Sequence, residues 1–508
     1  MTSVQNLANR VPITIALMLA TLMNTLDGTI ANVALPHIQG SLSASQDQIT
    51  WVLTSYIIAA AIMIPLSGWL SQKFGRKLVF LLSIAGFTFA SMLCGIATTL
   101  PEIVAFRLLQ GVAGATMMPL SQTIMLDLFP PKMIPQVMAV WSSVVILGPI
   151  MGPALGGWLT ENASWRWVFY INFPIGVLAF IGLYVFMERD RGGQQRPFDY
   201  LGYITLVMFI GGLQFMLDRG PIQDWFDSTE IWTEGLIALI GLWIFIAHTA
   251  TTRQPFFHPG LVRDRNFVVT TTFNFFVGMT MFSTSAMLPS MMQGLMGYSV
   301  IQSGYASMPR GIGSLIAFIF VPFLLRRIGA RTTLLSGIIV LCVSLWKMRG
   351  FDLSMDSGPI VLTGFLQGIG TGLLFGPMTF LAYATLDPNL RAEGTTVSNM
   401  GRSLGASVGI SVMQATLVRQ SAAAHEALVR HLQFTDPVVK GAFAESPGQG
   451  DGLNLPAINA EITRQAAMIG YDRVFEILLL LSMVLLPLLV IVRSPRTGAA
   501  VKVEMTGE

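Results

Sequence analysis

Cysteine is nearly absent from this chain, with two in 508 residues. Cys94 and Cys342 both lie inside apolar runs, which excludes a disulfide framework or a cysteine metal centre. The five histidines are scattered, so no zinc-type cluster is expected, and no metal or cofactor. Charge is scarce as well. Only 11% of residues are charged, against about 25% in a soluble domain. No phosphate-binding glycine loop is present, which argues against an ATP-driven pump. No nucleophile–base pair points to an enzyme, and a net charge of +3 offers no footprint for nucleic acid.

Long apolar runs are what the chain has. The hydrophobic fraction is 53% and the mean hydropathy +0.64. A span needs roughly 20 mostly apolar residues, and in lipid each backbone N–H and C=O must be satisfied internally, so repeated spans mean helices. The runs predict an all-α, polytopic membrane protein with about fourteen spans, near 12–35, 48–70, 78–97, 101–126, 136–159, 167–187, 200–217, 231–250, 267–289, 301–324, 332–348, 358–384, 394–417 and 474–492. The first run, Val11 to Leu35, is too long for a signal-peptide core and reads as a retained span. Lys and Arg placement supports the parity. Loops and tails expected in the cytoplasm hold 18, and the short outer loops hold 4, namely Arg166, Arg219, Lys347 and Arg349. Both termini are therefore expected on the cytoplasmic side. The stretch 418–471 is expected to be a long, polar outer loop with a short helix around 422–432, either a spacer or a docking element.

A shift of 257 positions lays Leu109-Gln110-Gly111 on Leu366-Gln367-Gly368, Pro131 on Pro388, Gly148 on Gly405 and Gly152 on Gly409. Duplicated six-helix halves around a midplane cavity are a common transporter plan. This predicts a first bundle at 1–188, an inserted helix pair at 189–255 and a second bundle at 256–508, or six, two and six. The repeat is unequal, because Gly364 stands opposite Arg107.

Few residues carry chemistry. Asp27 lies deep in the first span, where an acid costs about 2.5–3.5 kcal/mol on insertion scales. It suits a proton carrier, or else a structural carboxylate bonded to a neighbouring helix. Arg107 lies in the fourth span and either binds an anionic group, tunes a nearby carboxylate, or braces two helices. Asn24, Tyr56, Gln110, Met118, Gln122, Arg310 and Arg402 are candidate cavity residues, with Arg310 and Arg402 also readable as structural partners of carbonyls. Gly68 to Lys77, with Gly68, Gly75, Arg76 and Lys77, joins spans two and three as a tight, basic turn. Gly148-Pro149, Gly152-Pro153 and Gly156-Gly157 place small residues and two helix-breaking prolines in span five, which suits a closely packed, bent gate. Glu102, Asp127, Asp199 and Asp387 sit near span ends and read as caps or loop anchors. Flexible Met among the apolar residues suits varied apolar ligands.

These segments together resemble the major facilitator superfamily, and within it the fourteen-helix drug:proton antiporters of the EmrB/QacA type. Leu26–Pro36 is similar to that family's first-helix signature, Gly68–Lys77 to its loop motif, Arg107–Gly111 to its fourth-helix motif, and Gly148–Gly157 to the fifth-helix motif of antiporters. Trp165–Gly176 resembles the entry to helix six, while Met216–Gly220 followed by Asp224-Trp225-Phe226 looks EmrB-like. One departure stands in the loop, where Gln72 replaces the acid that in the family pattern helps to latch the outward-facing state. The resemblance implies proton-coupled efflux of small hydrophobic compounds across the inner membrane by alternating access, and a partnership with a periplasmic adaptor and an outer-membrane channel. Asp27 and Arg107 would couple protons. A dedicated exporter of one metabolite, such as a siderophore or a self-made antibiotic, stays open as the alternative. An uptake symporter and a non-transporting scaffold or sensor are the weaker rivals.

Overall fold

The computed structural model describes residues 9–130, 133–188, 197–221, 223–431 and 455–491. Among them there is no strand. The helices are α1 (Arg10–Leu42), α2 (Gln46–Ile49), α3 (Trp51–Met63), α4 (Leu66–Phe74), α5 (Arg76–Ile96), α6 (Leu100–Gly114), α7 (Met117–Leu128), α8 (Ile134–Asn162), α9 (Trp167–Tyr170), α10 (Asn172–Phe186), α11 (Tyr200–Arg219), α12 (Thr229–Thr251), α13 (Gly260–Arg263), α14 (Arg265–Gly294), α15 (Val300–Arg327), α16 (Gly329–Met348), α17 (Ser357–Ala384), α18 (Arg391–His431), α19 (Leu455–Met483) and α20 (Leu485–Ile491). Polar caps start several of them. Thr99 with Glu102 and Ser299 with Gln302 form capping boxes, and Asp199, Asp264 and Asp356 accept from first-turn amides.

Among the described residues twelve helical stretches are long and apolar enough to cross a membrane, and the pair α3–α4, bent by 56°, makes a thirteenth if it is one span. The bend follows Pro65, which lacks the N–H that would continue the ladder. The expected span at 394–417 lies inside α18, which is too polar to join that set. Its polar side chains face protein instead of lipid. Thr395 meets Thr123, Thr396 meets Ser67, Asn399 meets Gln122 and Ser407 meets Gln214.

One expectation fails. The stretch 418–471 is not one loop with a short helix. α18 continues to His431 and α19 begins at Leu455. The two pack together, with Gly470 tight against Leu417 and Ser421, and His425 bonded to Asn459. Leu417, Ser421 and His425, four residues apart along α18, put one helical face against α19. Residues 432–454 lie outside the described set. So do Lys132, Arg189, Arg191, Arg196, Arg493, Arg496 and Lys502 from the Lys/Arg tally.

The 257-residue offset acquires a spatial meaning. Gly148 and Gly152 of α8 lie on Thr25 and Thr29 of α1, while Gly405 and Gly409 of α18 lie on Phe275 and Met279 of α14. Gly111 touches the α3 backbone at Tyr56, and Gly368 the α15 backbone at Arg310. Each equivalent glycine thus lets equivalent helices approach. α8 runs as one helix through Pro149 and Pro153. Gly75 has φ +85°, a left-handed turn that a side chain would strain, and Gly68 is helical and packs on Thr396. α11 and α12 pack on each other. α11 fills the seam between α3 and α18, through Tyr203 to the Ile62 carbonyl, Trp51 on Phe215, and Ser411 to the Leu217 carbonyl. α12 turns an apolar face with Leu239 and Trp243 outward, as a lipid-facing helix does.

A Cβ on Gly148 would stand 2.3 Å from Thr25 Oγ1, an overpacking worth about 1–3 kcal/mol. Gly148→Val should lower the melting temperature in detergent and cut transport. Gly28→Ala, where nothing lies within 4 Å, is the matched control. Equal melting temperatures for the two variants would refute tight α1–α8 packing.

Candidate functional site

A cavity of about 680 Å³ lies between the two halves. Its wall runs from Asn399 and Met118, past Asn24, Tyr56 and Arg107, to Pro36, Gln293 and Val300. The end carrying the basic loops is sealed beneath it. Ser67 bonds Thr396, Thr123 bonds Thr395, and Gln122 accepts from Asn399 at 2.7 Å. Asp127 at the end of α7 bridges Arg76 and Arg391, tying the loop motif to the other half. Gln72, at the position of the missing acid, donates instead to Glu393 of α18, which also accepts the His258 amide. Lys77 donates to the carbonyls of Tyr184 and Met187 at the end of α10.

Asp27 does not line this cavity. It is fully buried behind Arg107, itself 1% exposed. Arg107 Nη1 donates to Asp27 Oδ2 at 2.7 Å and to Gln110 Oε1 at 2.8 Å, and its Nε donates to the Val52 carbonyl at 3.0 Å. Gln110 Nε2 and Asn172 Nδ2 both donate to Asp27 Oδ1, at 2.8 and 2.9 Å. Asn172 also reaches Ser91. The guanidinium lies over the Tyr56 ring, 4.2 Å from its centre, an added cation–π contact. Four helices, α1, α3, α6 and α10, thus meet at one acid and one base. A buried pair of this kind holds because each charge is the other's main compensation.

The other expected cavity residues divide. Asn24, Tyr56, Met118 and Arg402 are on the cavity wall. Gln110 is taken up in the Asp27 network and Gln122 in the seal. Arg310 lines a smaller adjoining pocket, which shares Pro149, Pro153, Ser285 and Pro289 with the main cavity. Pro149 and Pro153 thus join the wall, while Gly156 rests on Ile30 and Gly157 on Val300 of the opposite half. Asn172 was not singled out from the sequence. Its signal was there, as a lone amide in the apolar run Val168–Ile175, but nothing in the chain order ties it to Asp27. Gln214 of α11, which also lines the cavity, carried the same signal as a lone amide within the apolar run 204–217.

The offset of 257 recurs here. Gln110 donates to Asp27, and its counterpart Gln367 donates to Thr284, which occupies the position of Asp27. Gln110 Oε1 accepts from Arg107, while Gln367 Oε1 has no partner, since Gly364 stands in place of Arg107. One half has kept the ion pair and the other has kept only its amide.

Removing Asn172 leaves Asp27 Oδ1 with one donor, a loss of about 1–3 kcal/mol for a buried charge. Asn172→Leu is expected to insert at the wild-type level, melt earlier, and transport at about a tenth of the wild-type rate. Wild-type melting and transport would show the amide to be dispensable.

Comparison with known proteins places the chain. Residues 17–410 match the family model described as Major Facilitator Superfamily. The chain is 35% identical to the fatty acid resistance protein FarB of Neisseria gonorrhoeae, with 95% of this chain and 96% of that one covered. It is 34% identical to the multidrug export protein EmrB of Escherichia coli, with 92% of each covered. Among solved structures it is similar in fold to the human organic anion transporter MFSD10, at TM-score 0.58, 14% identity and coverage of 93% and 99%. The proton:xylose symporter XylE is similar at TM-score 0.58, 13% identity and coverage of 94% and 95%. The chain is a multi-pass membrane transporter and not an enzyme, and it belongs to the major facilitator superfamily.

Proposed function

We propose that this transporter exports hydrophobic, chemically varied toxic compounds across the inner membrane in exchange for protons, with both termini in the cytoplasm. The observation that carries the reading is the Asp27–Arg107 pair, held by two amides immediately behind a large cavity wall. Asp27 is out of reach of a substrate, but Arg107 is not. A substrate seated on the wall presses the guanidinium onto Asp27 and expels its proton, and departure of the substrate lets Arg107 withdraw and Asp27 take up a proton again. Substrate and proton then compete through one side chain, which is the requirement of antiport. The names of relatives, multidrug export and fatty acid resistance, support an export direction and an apolar cargo.

Alternating access follows from the same geometry. The basic end is closed by the Asp127 bridge and the Gln72–Glu393 contact, so this state faces outward. Two six-helix halves, 1–188 and 256–508, rock about the cavity, with the pair within 189–255 bracing the seam and the glycine face of α8 moving on α1. The coiled extension of α18 and α19 beyond the lipid offers a surface to a periplasmic adaptor leading to an outer-membrane channel.

In inverted vesicles energised with protons, a true substrate should release stored protons. Asp27→Asn is expected to insert normally, to bind substrate, and to lose both efflux and proton release. Export by that variant at the wild-type rate would end the proposed role of Asp27.

A further inference from the structure

Charges inside the spans are compensated unevenly. Asp27 and Arg107 have each other, while Arg310 donates to Ser285 and Arg402 to Asn399, both neutral. Arg310 Nη2 is buried with no partner. The acid left over is on the inserted helix pair. α11 begins beside Trp69 of the basic loop, through Phe198, so Asp218, its penultimate residue, lies at the opposite end. Asp218 Oδ1 accepts from Gln214 Nε2 at 3.4 Å, and Oδ2 is buried with no partner. An ionised carboxylate with an empty, buried oxygen is costly within a span, and such acids mark function.

The surroundings of Asp218 offer no spare cation among the described residues. α12 brings Glu230 and Glu234. Arg219 is paired with Glu230 at 2.8 Å, and Glu234 Oε2 also lacks a partner. α3 brings the hydroxyl of Thr54, and α18 those of Ser407 and Ser411. Asp224 and Asp227 lie in the exposed turn beyond. A proton on Oδ2 supplies the compensation that these groups do not.

Gln214 carries the state of the acid to the cavity. It lines the wall together with Ser407, and its Oε1 accepts from Ser407 of α18 at 2.7 Å. One amide thus holds Asp218 by its nitrogen and the second half by its oxygen. An ionised carboxylate only accepts, which fixes the amide this way round and keeps its oxygen on Ser407. A protonated carboxyl also donates. It competes for Gln214 Oε1, and Ser407 is released.

We propose that Asp218 is a proton-binding site filled from the outer side, and that with Gln214 as its positioning residue it clasps α11 to α18 until a proton binds. The inference rests on the reading of proton-driven alternating access, in which the second half must slip along α11 when the halves rock. The proton enters on Oδ2 and leaves by the same route when the clasp re-forms. The site is separate from Asp27, whose network is built from α1, α3, α6 and α10.

The test is the separation of spin labels on Phe226→Cys and Val418→Cys, exposed positions on the α11–α12 connection and on α18. The full chain carries Cys342→Ala, Cys94 being buried, and is held in nanodiscs without cargo. Passing from alkaline to mildly acidic buffer should lengthen the separation by a few ångströms. Asp218→Asn and Gln214→Leu should each give one separation in both buffers. Glu230→Gln, Glu234→Gln and Asp27→Asn should keep the wild-type shift. An unchanged separation in the otherwise wild-type chain, a full shift in Asp218→Asn, or loss of the shift in Asp27→Asn would overturn the clasp. The first of these decides even where a variant fails to fold. The readout needs no export. A shift that depends on Asp218, in a protein whose Asp27→Asn variant exports at the wild-type rate, would retain the clasp and reject coupling through Asp27.

Discussion

A guanidinium that is almost wholly buried in a membrane protein must find an anion, and the organisation of the first half follows from how Arg107 finds one. Its partner Asp27 comes from α1, its carbonyl acceptor Val52 from α3, and the amides that orient the pair from α6 and α10. Removing either charge strands the other, at a cost of about 3–5 kcal/mol. The pair therefore fixes four helices at one point. It also puts the acid beyond the cavity wall and leaves the base on it. From the cavity, Asp27 is thus reached only through Arg107.

The two halves share a scaffold and differ in charge. The glycines at 111 and 368, 148 and 405, and 152 and 409 allow the same close approaches in both. On that common frame, one half carries an acid–base pair and the other carries unbalanced cations. The cavity between them belongs to both.

Closure of the basic end uses a different economy of charge. Asp127 serves two arginines, one from each half, and Glu393 serves the Gln72 amide and the His258 backbone. The Asp127 bridges are partly exposed and individually weak, of the order of 0–1 kcal/mol for a surface pair, whereas Glu393 itself is buried. Weakness suits a latch that must open in each cycle, where a buried pair would hold one state too firmly.

Much of this was legible in the chain itself. Apolar run length gave the helices because lipid leaves a backbone no alternative. The glycine repeat marked the helix contacts because only small residues permit them. Asp27 and Arg107 stood out because charge in an apolar run is expensive. α18 covers the run 394–417 expected to span, and its low hydropathy reflects a polar face covered by protein; the stretch read as a loop is largely helix because two helices shelter each other there. Which charges are compensated was decided by the tertiary structure alone. Asn172 completes the Asp27 site from 145 positions away, Gln72 finds its acid on α18, and Arg310 finds none. Sequence sets the price of each charge in the membrane, but compensation depends on distances of a few ångströms between helices remote in the chain, and only packing sets those.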